Sequence, residues 1–131
     1  MSLRCVLFLC FTAVLIAEEP VIVHPSSASW EKSGASESLT LRDTPTAFEL
    51  LVRYPAGHEF APHWHSTNER IVLLEGKLSI RIGTTEQELQ PGSYAYLPAK
   101  EVQRMKCTSA TRCSFYVAWD GKLDNHKVTA K

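Results

Sequence analysis

A chain of 131 residues, 44% hydrophobic and 21% charged, is long enough for one domain with a buried core and too short for two. Fourteen basic residues balance fourteen acidic ones, for a formal net charge of zero. With no basic run in the chain, that balance argues against nucleic acid as a partner.

The first element is residues 1–17. Arg4 gives a positive start, Cys5 to Ile16 is apolar, and Ala17 precedes the polar Glu18-Glu19-Pro20. This is the pattern of a secretory signal cut after Ala17. The apolar run is short for a membrane span. The expectation is an exported protein, periplasmic or secreted, with no stable membrane span after cleavage. Residues 18–38 read as a polar, Ser-rich arm. Within it Val21-Ile-Val23 is a candidate edge strand, and Trp30 a candidate anchor against the body.

From residue 39 onward the pattern is that of short strands. Leu39 and Leu41 are apolar at period two, and Asp43-Thr-Pro45 is a turn. Phe48, Leu50, Val52 and Tyr54 alternate with a second set of residues, which predicts a strand with one buried face. Glu69, Ile71 and Leu73 share a face of the next apolar run, and Glu75-Gly76 turns the chain. Leu78, Ile80 and Ile82 alternate with Lys77, Ser79 and Arg81. Gly83 to Gln87 reads as a turn, Glu88-Leu-Gln as a brief strand and Pro91-Gly92 as another turn. Ser93 to Leu97 is a strand, with Tyr94 and Tyr96 on one face as candidate pocket-lining residues. In Val102 to Lys106, Gln103 and Met105 share a face, expected to be inward, while Arg104 and Lys106 alternate outward. Ser114 to Trp119 is a further strand. No segment after residue 17 has a convincing helical period. Strands with turn signals every eight to twelve residues predict an all-β sandwich or barrel.

If the signal is cut, Cys107 and Cys113 are the two remaining cysteines. An exporting context favours a disulfide, here across the neck of a hairpin. Two half-buried thiols are the alternative.

The stretch that carries chemistry runs from Gly57 to Gly76. His63 and His65 are separated by one residue, and in an extended strand such residues point to the same face. Glu69 follows after a short bend. Two imidazoles and a carboxylate form a facial set that leaves positions open on a first-row metal. A surface His-x-His beside an unrelated glutamate is the plainer alternative, and the wider spacing decides between them. Gly57, five residues, His63-Trp-His65, three residues, Glu69, six residues and Gly76 reproduce the first motif of the cupins, which this chain resembles. Gly92, five residues and Pro98 match the first half of the second cupin motif. The match then lapses: Lys100 stands where that motif has Gly, Gln103 where it has its ligand His, and Cys107 where it has Asn. Trp30, Pro62-His-Trp-His65 and the Asp-Gly-x-x-Asp-x-His tail from Asp120 to His126 resemble a group of small, single-domain, exported bacterial cupins of undefined function.

The resemblance implies a jelly-roll (double-stranded β-helix) barrel over residues 39–131, with a metal held by His63, His65 and Glu69 and with Gln103 as a weaker fourth donor. Two nitrogens and one carboxylate suit Fe, Mn, Ni or Zn. A divalent ion beside one carboxylate leaves net positive charge, which favours a small anionic or chelating molecule as ligand. The implied chemistry is that of a metal-dependent dioxygenase-type oxidoreductase. A non-catalytic small-molecule-binding cupin and a structural barrel with a vestigial metal site are the alternatives. Cupins commonly pair as homodimers, and Val21-Ile-Val23 could serve in that pairing.

Overall fold

The computed structural model describes residues 17–129. The apolar run read as a signal lies outside them. Among the described residues there is no helix, and eleven strands follow one another: β1 (Glu31–Ser33), β2 (Ser36–Thr44), β3 (Ala47–Tyr54), β4 (Glu59–Trp64), β5 (Glu69–Glu75), β6 (Leu78–Ile82), β7 (Thr85–Leu89), β8 (Tyr94–Leu97), β9 (Gln103–Cys107), β10 (Cys113–Trp119) and β11 (His126–Lys127). They form two sheets, of order β1-β2-β3-β10-β5-β8 and β11-β4-β9-β6-β7. Every described pairing is antiparallel. From β3 onward the chain passes repeatedly between the sheets, the topology of a jelly roll. The all-β barrel expected from the strand pattern is what forms.

The core is the set of inward positions that the alternation picks out. Ile71, Leu73, Leu78, Leu97, Phe115 and Val117 are almost wholly buried between the sheets. Burial of each such side chain contributes about 1.5–3 kcal/mol. Leu50, Val52 and Tyr54 of β3 join them, as expected. So do Met105 and the two cysteines, which a disulfide joins across the loop between β9 and β10.

Several edges differ from expectation. Val21-Ile-Val23 forms no strand, and Val21 and Ile22 are exposed. The sheet instead begins at Glu31, inside the arm, because β1 is a solvent-facing edge strand whose residues are all exposed and polar. β7 starts at Thr85, where a turn was expected. Its first four residues are also exposed on an edge, so nothing in them needs to be apolar. The period-two reading of Leu39 and Leu41 is interrupted by a bulge between Thr40 and Arg42, which leaves Leu39 buried and Leu41 half-exposed. Trp30 does act as an anchor: its indole N–H donates to the Pro25 carbonyl at 3.1 Å, and the Arg53 guanidinium lies 3.6 Å over its ring.

Candidate metal centre

Four buried polar residues come together between the sheets. His63 lies near the end of β4, beyond an irregularity in the pairing of that strand with β9, and His65 lies just past the strand's end. Glu69 opens β5, and Gln103 opens β9 directly opposite His63. Glu69 is 1% exposed and Gln103 2%, so each needs a partner within the protein.

The two imidazoles are fixed from behind. The Nδ1–H of His63 donates to the Ala61 carbonyl at 2.8 Å, and that of His65 to the Asp124 carbonyl at 2.5 Å. A carbonyl can only accept, so Nδ1 carries the proton in both rings, and in the neutral state each Nε2 presents a lone pair. The ring centroids stand 4.8 Å apart. Nε2 of His65 lies 3.4 Å from Glu69 Oε2 and is buried with no hydrogen-bond partner of its own. In the neutral ring this contact sets a lone pair against a carboxylate oxygen. A proton or a cation on Nε2 relieves it.

Gln103 occupies the other side of the cluster. Its amide N–H donates to Glu69 Oε2, and its Nε2 is 3.4 Å from Nε2 of His63. Its carbonyl oxygen Oε1 is buried and unpaired. Among the described residues, no three His, Cys, Asp or Glu side chains close into a ready coordination cluster. The Gln103 amide holds the Glu69 carboxylate instead. The donor set still fits a divalent ion in kind. It offers two imidazole nitrogens with their protons turned away, one carboxylate, and two orphaned buried atoms, His65 Nε2 and Gln103 Oε1, that a cation would satisfy.

The electrostatics follow from the same contacts. Burial lowers the His63 pKa, and the Ala61 carbonyl and the Glu69 charge offset it only in part. Burial also presses on His65, but the Glu69 carboxylate that a protonated Nε2 would face, the Asp124 carbonyl and the charge of Asp124 together outweigh it and leave its pKa raised. Burial and the Glu69 charge push the Tyr54 hydroxyl well above the ordinary tyrosine range.

A cavity of about 240 Å³ opens beside the cluster, with His63, His65, Glu69 and Met105 in its wall. Gln103 lies outside that wall. Tyr94 and Tyr96, expected as pocket residues, are 59% and 49% exposed and face away from the barrel. The register explains this: Glu69 pairs with Leu97 and Ile71 with Ala95, so Leu97 and Ala95 take the inward side of β8 and the tyrosines the outward side.

The C-terminal strap was not expected at the site. Besides the Asp124 carbonyl on His65, the Asp124 carboxylate accepts the Ser66 N–H at 2.8 Å and lies 3.0 Å from Nε2 of His126. The His126 ring stacks on Trp64 at 3.8 Å. The hydrogen bonds from Ser66 and His126 hold the Asp124 carboxyl well below the usual carboxylate range. The only sequence signal for this strap is the Asp120-to-His126 tail pattern.

Residues 50–119 match the family model described as "Cupin domain". Solved structures share the fold at low identity. The polyketide cyclase RemF from Streptomyces resistomycificus superposes with a TM-score of 0.73 at 17% identity, covering 84% of this chain and 86% of that one. A RmlC-like cupin from Shewanella frigidimarina gives 0.71 at 14%, covering 78% and 91%. KdgF from Halomonas sp. gives 0.67 at 14%, covering 76% and 94%. No curated protein matches this chain in sequence. Cupins often bind divalent metals and act in catalysis. The family model spans Leu50 in β3 to Trp119 in β10, a stretch that includes His63, His65, Glu69 and Gln103, and the chain belongs to the cupin superfamily.

Proposed function

We propose that this protein is an exported cupin that holds a divalent metal through His63, His65 and Glu69, with Gln103 as a weaker fourth donor, and that it acts on a small anionic or chelating molecule in an oxygenase-type reaction. One observation carries the metal reading. Both Nδ1 protons are committed to backbone carbonyls, which leaves the Nε2 lone pair of His65 facing the Glu69 carboxylate at 3.4 Å with no partner. His63, His65 and Glu69 would hold a divalent cation there, and its charge would relieve that repulsion. When bound, such an ion supplies Lewis acidity and, if redox-active, electrons for dioxygen.

The chain's own contributions are separate from that ion. The Ala61 and Asp124 carbonyls orient the imidazoles. The Gln103 amide holds Glu69 in place until it is displaced or turns its oxygen inward.

A second reading has its own support. The Gln103 amide can give one N–H to Glu69 and the other to His63 Nε2, which closes a hydrogen-bonded network without any ion. In that case the barrel is a binding module or a structural piece with a vestigial site. Oxygen uptake separates the readings. Protein reconstituted in turn with Fe(II), Mn(II), Ni(II) and Zn(II) is mixed with β-diketones, catechols and thiols. Uptake with at least one pairing, lost in Glu69→Ala, supports the oxygenase. Stoichiometric metal without uptake in any pairing leaves a binding module.

A further inference from the structure

A second cavity, of about 260 Å³, opens beside the turn between β1 and β2. Lys32, Arg53 and Arg112 line it, and among the described residues Glu37 is the one acid in its wall. None of His63, His65, Glu69 and Gln103 belongs to this cleft, which adjoins the cavity beside the cluster through Ser36, Glu37 and Tyr54.

The strand register brings the charges together. Lys32 pairs with Glu37, and Glu37 with Arg53, so the three form a row across β1, β2 and β3. Neighbouring strands stand about 4.8 Å apart. Arg112 enters from the loop ahead of β10, whose first residue, Cys113, pairs with Tyr54. The Arg112 guanidinium donates to Glu75 at 3.2 Å. Lys32 forms no ion pair among the described residues.

Arg53 is held in place but left unsatisfied. Its guanidinium lies 3.6 Å over the Trp30 ring, a contact that fixes the group without using its N–H donors. Its side chain is 25% exposed, yet its Nε is buried and has no hydrogen-bond partner. Glu37 Oε2 stands 3.9 Å from Nη1, beyond hydrogen-bond reach. A buried donor without an acceptor has lost its water and gained nothing in return. The oxygens of a carboxylate or a phosphate match guanidinium N–H groups two at a time.

We propose that this cleft is a site for a small oxyanion, the carboxylate or phosphoryl group of a soluble ligand, received by Arg53 with Lys32 and Arg112 as supporting charges. Three basic side chains against Glu37 favour an anion over a cation. The orphaned Nε–H calls for an oxygen acceptor rather than for charge alone. The site is separate from the candidate metal centre and does not depend on it.

Inorganic phosphate and succinate are the probes, each titrated at constant ionic strength into metal-stripped protein, so that neither can ligate a metal. Calorimetry gives the affinity, and the Arg53 Nε–H resonance of nitrogen-labelled protein reports where the probe sits. At least one probe is expected to shift that resonance and to bind with a Kd of about 1 mM or tighter. Tighter phosphate identifies a phosphoryl ligand and tighter succinate a carboxylate ligand, and both support the site. Arg53→Lys keeps the charge but loses the planar fork, and is expected to weaken the better probe about tenfold. Lys32→Ala changes an exposed residue of an edge strand, so it spares the fold, and is expected to weaken the probe about threefold. Glu37→Gln removes the competing acid and is expected to tighten binding about threefold. Were Arg53 only an anchor for Trp30, no such tightening would follow. Neither probe binding at about 10 mM would overturn the proposal. So would binding that leaves the Arg53 resonance unmoved, or that is unchanged in both Arg53→Lys and Lys32→Ala.

Discussion

His65 Nδ1 lies 2.5 Å from the backbone carbonyl oxygen of Asp124, 59 positions further along the chain. The contact fixes which nitrogen of His65 faces the cluster. It is itself held by the Asp124 side chain, which caps the Ser66 N–H and pairs with His126, and by the stacking of His126 on Trp64. The segment that leads into β11 is thus a clamp on a residue of the central motif.

Loosening the clamp should loosen the metal. Groups that orient a ligating histidine typically change metal affinity by about 10–100-fold when removed. Asp124→Ala is expected to weaken metal binding within that range, and Asp124→Asn, which can still accept from Ser66, to weaken it less. Competition against a chromophoric chelator measures both. Equal affinity in Asp124→Ala and the parent protein would show that the strap plays no part in the site.

Gln103 should matter most to the metal-free protein. Its amide satisfies the buried Glu69 carboxylate. Gln103→Leu removes that donor and is expected to destabilise the metal-free fold by about 1–3 kcal/mol, with a smaller loss when metal is present. Urea unfolding with and without metal checks this. Gln103→His is expected to tighten metal binding, since an imidazole is a better donor than an amide oxygen. Weaker binding would show that the amide itself is the group required there.

His63 and His65 should titrate on opposite sides of the ordinary histidine value of 6.5, His63 below it and His65 above. The raised pKa of His65 means that its proton favours the folded, metal-free state. That contribution is complete below pH 6.5 and is lost as pH rises through the raised value. His63 works in the other direction. Its lowered pKa makes its contribution complete above pH 6.5 and lost as pH falls toward the lowered value. Metal needs both rings neutral, so affinity should begin to fall at the pKa of His65 as the solution is acidified, and fall more steeply on reaching that of His63. Ring-proton NMR follows both residues. In Glu69→Gln the His65 titration is expected to move back down, and an unmoved titration would contradict the assigned cause.

The two glycines of the central motif should not be equivalent. Gly57 has φ of 77° and open space where a Cβ would stand, whereas Gly76 has φ of 85° and a Cβ there would come within 2.6 Å of the Arg112 carbonyl and 3.0 Å of Cys113 Sγ. Gly57→Ala is expected to cost about 1–2 kcal/mol from the left-handed backbone alone. Gly76→Ala adds the collision with the disulfide loop and is expected to cost about 3 kcal/mol or more. Thermal melts of the two variants give the comparison.

How much of this was legible in the sequence varied with the distance over which each contact acts. Inward alternation in β3, β5, β6 and β9 is a local pattern with period two, and it placed Leu50, Ile71, Ile80 and Met105 in the core. Polar edge strands such as β1 and β7 carry no such pattern, because neither face is buried. The box from Gly57 to Gly76 located three of the four clustered side chains through its spacing. Tyr94 and Tyr96 were misplaced because alternation gives two faces without saying which is inward; that choice is made by pairing with Glu69 and Ile71 on a different strand. The Asp124 carbonyl left no readable mark, since a backbone oxygen looks the same in every residue.

If His63, His65 and Glu69 share a metal, the purified protein carries it and loses it with any of the three. Elemental analysis of the purified protein tests it most directly, alongside His63→Ala and Glu69→Ala variants whose folding is verified by circular dichroism. About one divalent transition metal per chain is expected in the parent protein, with most of it lost in each variant. A folded parent protein that neither contains nor takes up metal, or one whose metal survives both substitutions, would contradict it.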